Sequence, residues 1–445
     1  MKRMRVAICG AGLAAILVAA SAFLAGARAN SDEQSAEDGV YRNAAAMIHE
    51  GRQIFRYDTF GDQAFWGGKL KLHEAVAGAK LGGIGPGVSP IVALAVGLKV
   101  DVDALPESLR GRLAQGKVDL NDPATTLALL KLNAVVGLTG FFDSTGRIES
   151  IGIQCALCHS TVDNAFARGI GHRLDAWANR DLNVGAIVAM APDLSVVAEL
   201  LGVDQATVRR VLKSWGPGKF DAELLLDGKA FRPDGKSAAA LIPPAFGLAG
   251  VNLGTWTGFG STTYWNALVS NLEMHGQGTF FDSRLDDAPQ YPIAVKAGSF
   301  EVRKEPDLIT SKLAALHFYQ LAIPAPKSPQ LDDPGIVAAA ERGKVVFEGK
   351  AQCARCHVPP LFTEPGYNMH TPEEIGIDDF QANRSPTKMY RTSPLKGLFT
   401  HEKGGFYHDG RFRTLQEVVD HYDALFDSDL SSEEKSDLIA YLETL

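Results

Sequence analysis

The chain has 445 residues, 46% hydrophobic and 22% charged, and its 44 Lys and Arg against 52 Asp and Glu give a net charge of −8. That acidic balance argues against a nucleic-acid binder, which would present a basic stripe or patch. The length predicts two or more domains, and the ordinary globular composition supplies sizeable cores without disulfides.

Residues 1–29 read as a secretory signal. Lys2, Arg3 and Arg5 form a positive start, an apolar run extends from Val6 to Leu24, and Ala27-Arg28-Ala29 fits an A-x-A cleavage site. Cys9 lies inside the run and would leave with it. The run is nearly long enough for an uncleaved anchor, but its small residues and the A-x-A site favour cleavage and export to the periplasm. Cleavage would remove four positive residues and take the net charge from −8 to −12. No later stretch is apolar enough to span a membrane. Residues 30–39 are a polar, acidic lead-in.

A helical pattern begins near Val40 and passes through Ala44, Met47, Ile48 and Ile54. It ends in Glu50-Gly51-Arg52-Gln53-Ile54-Phe55, which returns as Arg342-Gly343-Lys344-Val345-Val346-Phe347. Such an internal repeat predicts two copies of one unit. Between the first copy and the next motif lies an insertion, about 56–151. It holds a Gly/Pro-rich turn at Gly82-Gly83-Ile84-Gly85-Pro86-Gly87 and a predicted helix over 123–136. A hairpin over 136–153 is predicted to turn at Asp143-Ser144-Thr145-Gly146. Gly85-Pro86-Gly87 lacks the strand, helix and Lys-Ser/Thr of a phosphate loop.

Cys155-Ala156-Leu157-Cys158-His159 follows, and Cys353-Ala354-Arg355-Cys356-His357 stands just after the second repeat copy. Each reads C-x-x-C-H, the attachment signature of a c-type haem. The thiols can add to the two vinyl groups, and His159 and His357 can ligate iron. A zinc ribbon would space its cysteine pairs about 15–20 residues apart, and a redox disulfide needs no histidine after each pair. After the first motif, helical periodicity is expected over 194–215 and 308–321. Ile323-Pro324-Ala325-Pro326-Lys327-Ser328-Pro329 opens a linker, 323–334. Ser431-Ser432-Glu433-Glu434 is a capping-box pattern before a last apolar helix.

With these motifs on 40–56 and from 152 onward, the chain resembles the bacterial di-haem cytochrome c peroxidases, with MauG-like proteins and di-haem rubber oxygenases as relatives. The resemblance implies a mainly α fold of two cytochrome c-like domains, 40–322 and 335–445, each with one covalent haem. It also implies roles for single residues. His172, in Gly169-Ile170-Gly171-His172, matches a distal ligand of the first haem. Asn179 matches a residue that helps to hold calcium between the domains, although the family's threonine partner is not evident near Lys403. Pro243-Pro244-Ala245-Phe246 leads to Thr255-Trp256-Thr257-Gly258, where Trp256 would relay electrons, with Trp177 and Trp265 as rivals. Leu272-Glu273-Met274 matches a segment whose glutamate acts at the peroxide-binding haem. Tyr390-Arg391-Thr392-Ser393-Pro394-Leu395-Lys396 and Phe406-Tyr407-His408-Asp409-Gly410-Arg411 match two segments of the second domain.

The family's sixth ligand to the second haem lies fourteen residues after the H-D-G histidine, which here is Tyr422. Leu415, Val418, Val419 and Tyr422 share one apolar helical face, whereas Thr414, Glu417 and His421 share a polar one. Tyr422 is therefore preferred to His421, and Met389 is a weaker rival. The expected activity is a periplasmic di-haem oxidoreductase that reacts with hydrogen peroxide at the first haem. Electrons would come from a small donor protein or an oxidisable substrate. A pure electron carrier and a rubber-oxygenase-like dioxygenase are the alternatives.

Overall fold

The computed structural model describes residues 37–401 and 403–445, so the expected leader and Cys9 lie outside the described residues. The fold is mainly helical, and its strands form five two-stranded sheets among the described residues. No described helix is long and apolar enough to cross a membrane.

One packing arrangement occurs twice. The helix 37–57 crosses Leu313–Ala322, and Pro334–Glu348 crosses Ser432–Thr444. Each crossing is made at the glycine of the repeated motif. A Cβ on Gly51 would lie 2.0 Å from the Ala315 carbonyl oxygen, and one on Gly343 would lie 1.9 Å from that of Asp437. Only a residue without a side chain allows that backbone approach. Four residues on, Phe55 and Phe347 are both fully buried. Their rings meet Tyr319 and Tyr441 edge to face, with centroids 5.7 and 5.3 Å apart. The repeat read from sequence is thus a repeat of tertiary contact, and Leu313–Ala322 closes the first unit as Ser432–Thr444 closes the second.

Local signals explain where these helices start. Asp333 caps Pro334–Glu348 by accepting from the Gly335 and Ile336 amides, with Pro334 in the first turn, where its missing N–H costs nothing. Ser431 and Glu434 form the capping box that the sequence predicts. The pattern over 194–215 resolves into Ser195–Leu201 and Gln205–Ser214, because Gly202 adopts a left-handed conformation and ends the first helix. The helix expected over 123–136 stops at Lys131, and that expected over 308–321 runs Leu313–Ala322.

The hairpin forms as expected, Leu138–Phe142 against Ile148–Ile153. Asp143 fixes its turn by accepting from the Thr145 and Arg147 amides. The insertion has no core of its own. Trp66, Leu72, Val100 and Leu130 share one apolar cluster with Leu182, Leu212 and Trp215 from beyond the first motif.

The two crossings predict that Gly51→Ala and Gly343→Ala each destabilise the protein by about 1–3 kcal/mol or more through overpacking. Gly111→Ala, in Glu107–Ala114 with nothing within 4 Å of an added Cβ, should stabilise it by about 0.5–1 kcal/mol. Urea melts of the three variants test this. Equal midpoints for Gly111→Ala and Gly343→Ala would contradict the crossing geometry.

Candidate functional site

The first C-x-x-C-H motif forms a short turn of helix, Ala156–His159, delivered by the end of the hairpin. Gly137, in a left-handed conformation, packs directly against the Leu157 backbone. Burial pushes the Cys155 and Cys158 thiols up to about 12, with Asp58 contributing at Cys155 and Glu273 at Cys158. Burial also pushes His159 down to about 4. The motif therefore presents neutral thiols and a neutral imidazole.

Glu273 faces this motif. The helix Thr262–Leu268 passes into a π-helical turn, Val269–Glu273, which ends on the glutamate. Such turns are rare and concentrate at functional sites. Glu273 is buried, and its Oε1 has no hydrogen-bond partner. Burial raises its pKa well above the usual carboxylate range, and the nearby Glu223 and Asp221 raise it further.

The insertion holds the segment around Glu273 in place. Its own π-helical turn, Ala64–Lys69, supplies Trp66, whose Nε1 donates to the Met274 carbonyl at 3.0 Å. Phe65 stacks on His275 with centroids 3.6 Å apart. Asp62, also from the insertion, accepts from the Ile153 amide, and burial pushes its pKa up to about 9. No motif in the sequence marks Asp62, Phe65 or Trp66. The available signal was an aromatic pair, Phe65-Trp66, ahead of Gly67-Gly68 in an otherwise unassigned stretch.

The structure places His172 apart from the first motif. The strand Ile170–Gly171 pairs in parallel with Val100–Asp101 of the insertion. This carries His172 out to the surface, where its half-exposed ring bonds Asp103 through Nδ1 at 3.0 Å. The buried Arg173 beside it pairs with Asp101. The insertion has captured the I-G-H segment, and His172 is not brought to Glu273.

Trp256 lies where the two units meet. Its Nε1 donates to the Leu241 carbonyl at 2.8 Å, and the Leu241 amide donates to His408 at 2.6 Å. The Arg391 amide donates to the Trp256 carbonyl at 3.1 Å, and Arg391 Nε donates to Thr255. Both second-unit segments named by resemblance thus grip the Trp256 loop. Trp177 also reaches the second unit, meeting Phe399 edge to face at 6.1 Å. The Trp265 Nε1 is buried without a partner.

At the second motif, His357 Nδ1 lies 3.1 Å from the Phe362 carbonyl. That contact leaves Nε2 free to ligate, as an imidazole ligand requires. Thr363 and Thr392 extend the support, and Thr392 donates to Glu364, which bonds His370 at 2.6 Å. Glu364 and His370 were not foreseen. Tyr422 stands on Leu415–Phe426 with Leu415 and Val419 buried on the same face. Burial pushes its hydroxyl up to about 12, opposed by Tyr407 and reinforced by Cys356 and Cys353. His421 is engaged elsewhere, its Nε2 bonding the Ile375 carbonyl at 2.8 Å. Met389 is held by Thr387.

These residues fit covalent haem. Beside the cysteines and the two histidines, the Arg180 Nε, Nη1 and Nη2, the Arg391 Nη1 and the Nε2 atoms of His401 and His408 are buried without partners. Buried guanidinium groups left unpaired are costly, and burial pushes both Arg180 and Arg391 down to about 10. Haem propionates are the anions such groups would meet. A thiolate metal site at Cys356, Glu364 and His370, whose ligand atoms lie within 4.8 Å of one another, would be abolished when Cys356 becomes a thioether.

The residues at the expected calcium position do not fit calcium. Asn179 is buried and spends its amide on the Gly97 carbonyl at 3.0 Å, while its Oδ1 accepts from the Asp181 amide. The carboxylate of Asp181 is taken by Lys99 at 2.6 Å and by Lys403.

No protein-family model matches the chain. The methylamine utilization protein MauG of Methylorubrum extorquens is 29% identical over 229 residues, 46% of this chain and 63% of that protein. The cytochrome-c peroxidase IdrP1 of a Pseudomonas species is 26% identical over 246 residues, 41% of this chain and 64% of that protein. The chain thus matches just under two thirds of the length of these curated relatives. A solved structure, the diheme peroxidase BthA of Burkholderia thailandensis, is 17% identical at a TM-score of 0.30, covering 52% of this chain and 78% of that one. With the two C-x-x-C-H motifs in place, these sequence similarities support a likeness to the di-haem cytochrome c peroxidases and MauG.

The buried Glu273 predicts a pH-dependent stability. Its folded pKa lies above the unfolded value near 4.5. Its favourable contribution is therefore complete below about 4.5 and lost as pH rises through the folded pKa. Glu273→Gln should raise the melting temperature more at pH 8 than at pH 5. An identical shift at both pH values would show that the carboxyl ionises normally.

Proposed function

We propose that the protein is a di-haem c-type oxidoreductase, exported to the periplasm, that reacts with hydrogen peroxide at the first motif and receives electrons through the second. Each motif belongs to a cytochrome c-like unit, with Cys155 and Cys158 or Cys353 and Cys356 as attachment points. Haem bound there would supply one-electron chemistry at iron, ligated by His159 and His357.

The observation that supports peroxide chemistry best is Glu273: a buried carboxyl, held protonated, with a free Oε1 facing the first motif. Splitting a peroxide needs a proton on the departing oxygen, and a positioned carboxyl can move it. The Glu273 carboxyl can supply that proton, because burial and the nearby Glu223 and Asp221 keep it neutral. The Trp66 and Phe65 contacts fix the carboxyl's position. A pure electron carrier would have no use for a buried, unpartnered acid at one motif.

Trp256 joins the units through Leu241 and His408, and we assign it the relay of electrons between them. Tyr422 is the side chain we assign to the sixth position of the second motif, because it faces Cys353 and Cys356 while His421 bonds a backbone carbonyl. A phenolate there favours oxidised states more than methionine, which raises a haem potential. Electrons would come from a small donor protein or an oxidisable substrate.

Denatured protein extracted with acid–acetone should keep its colour, because both haems are covalent; colourless protein would end this reading. Glu273→Gln should retain both haem spectra and slow the reaction with peroxide by ~10²–10⁴-fold. An unchanged rate would make Glu273 a structural acid only. Tyr422→Phe should alter the ferric spectrum of the second haem, whereas His421→Ala should leave it as it is. The reverse pattern would assign the ligand to His421.

A further inference from the structure

We propose that the ammonium of Lys403 takes the place of a divalent cation between the two units, joining the second unit to Asp181 of the first and making the contact independent of calcium. Asp181 lies two residues after Asn179, within the stretch where the family resemblance leads one to expect calcium. One carboxylate there meets two ammonium groups, Lys99 from the insertion at 2.6 Å and Lys403 from the second unit. Lys99 is itself buried. Arg168 adds positive potential at both lysines.

The site has no capacity left for a hard cation. Calcium takes 6–8 oxygen ligands, usually with several carboxylates. Here the Asn179 amide bonds Gly97, its oxygen accepts from the Asp181 amide, and each Asp181 oxygen faces a lysine. A divalent ion entering would meet Lys99, Lys403 and Arg168 against one carboxylate. A lysine ammonium is a compact, strongly hydrated point charge with three donors. It can therefore fill a cation position between two chain segments that an ion would otherwise bridge.

The cation that links the two units at this corner is then part of the chain itself. It cannot be lost to a chelator or tuned by calcium supply, but the contact is weakened by salt to the extent that Lys403 is exposed. Its side chain is 53% exposed, so Lys403→Met should fold normally.

The test uses the purified holoprotein. Elemental analysis after dialysis should find calcium well below one per chain. EDTA or added calcium chloride should shift neither the melting temperature nor the visible spectrum of the half-reduced protein. Lys403→Met should lower the melting temperature by ~1–2 °C at low salt, as expected for a partly exposed pair. Asp181→Asn should lower it too, and the double variant by no more than the larger single effect. Lys403→Arg should restore most of the loss. Stoichiometric calcium, or an EDTA effect reversed by calcium, would overturn the proposal. So would a Lys403→Met protein that melts like the parent at low salt, or a double variant in which the two losses add.

Discussion

Everything at the candidate site depends on two places where helix backbones touch. At Gly51 and at Gly343 a carbonyl of the closing helix occupies the space where a Cβ would stand. That approach brings the following phenylalanine, Phe55 or Phe347, into full burial against a tyrosine of the closing helix. Phe55 shares its cluster with Ala156 and Cys155, and Phe347 shares its cluster with Cys353 and Ala354. The crossing thus sets the wall on which each C-x-x-C-H turn rests. Interior packing is dense and barely compressible, so a shift of either crossing would be felt at the cysteines.

The features legible in the sequence are those whose cause is local. The C-x-x-C-H spacing, the Asp143 turn, the Ser431–Glu434 capping box and the repeated G-x-x-[IV]-F segment each lie within a few residues, and the turn, the box and the repeat form as read. The resemblance points to position 422, helical periodicity prefers Tyr422 to His421, and Leu415 and Val419 of the same face are buried. The insertion was illegible for the opposite reason. Trp66 bonds Met274 across 208 positions, and nothing in either stretch names the other. The same limit explains His172. The letters I-G-H match, but the ring's direction is set by a parallel strand partner seventy positions earlier, Val100 opposite Ile170. Gly202 shows a smaller version: periodicity ran through it, and the backbone did not.

The insertion is therefore part of the first unit's architecture. It supplies one side of the largest apolar core, fixes the I-G-H segment in a strand pair and clamps the Glu273 loop with Trp66 and Phe65. A shorter chain without it would need another way to hold that loop, since a π-helical turn ending on a buried acid is not self-supporting.

The carboxyls that add to the raised pKa of Glu273 sit beside a buried arginine of the second unit. Arg384, fully enclosed, pairs with Asp227 through two nitrogens at 2.8 and 3.0 Å. It also lies 2.8 Å from Asp221, in a second ion pair. Tyr291 of the first unit fixes the arginine from behind by donating to its carbonyl at 3.0 Å. Even with Arg384 in place, burial pushes Asp221 up to about 7, and Glu223 is raised as well. These are the two carboxyls whose charge raises the pKa of Glu273. Arg384 thus favours their ionised forms, and those forms in turn oppose ionisation of Glu273. Burial is the larger cause of the raised pKa of Glu273, and this acid cluster, held by a cation of the second unit, adds to it.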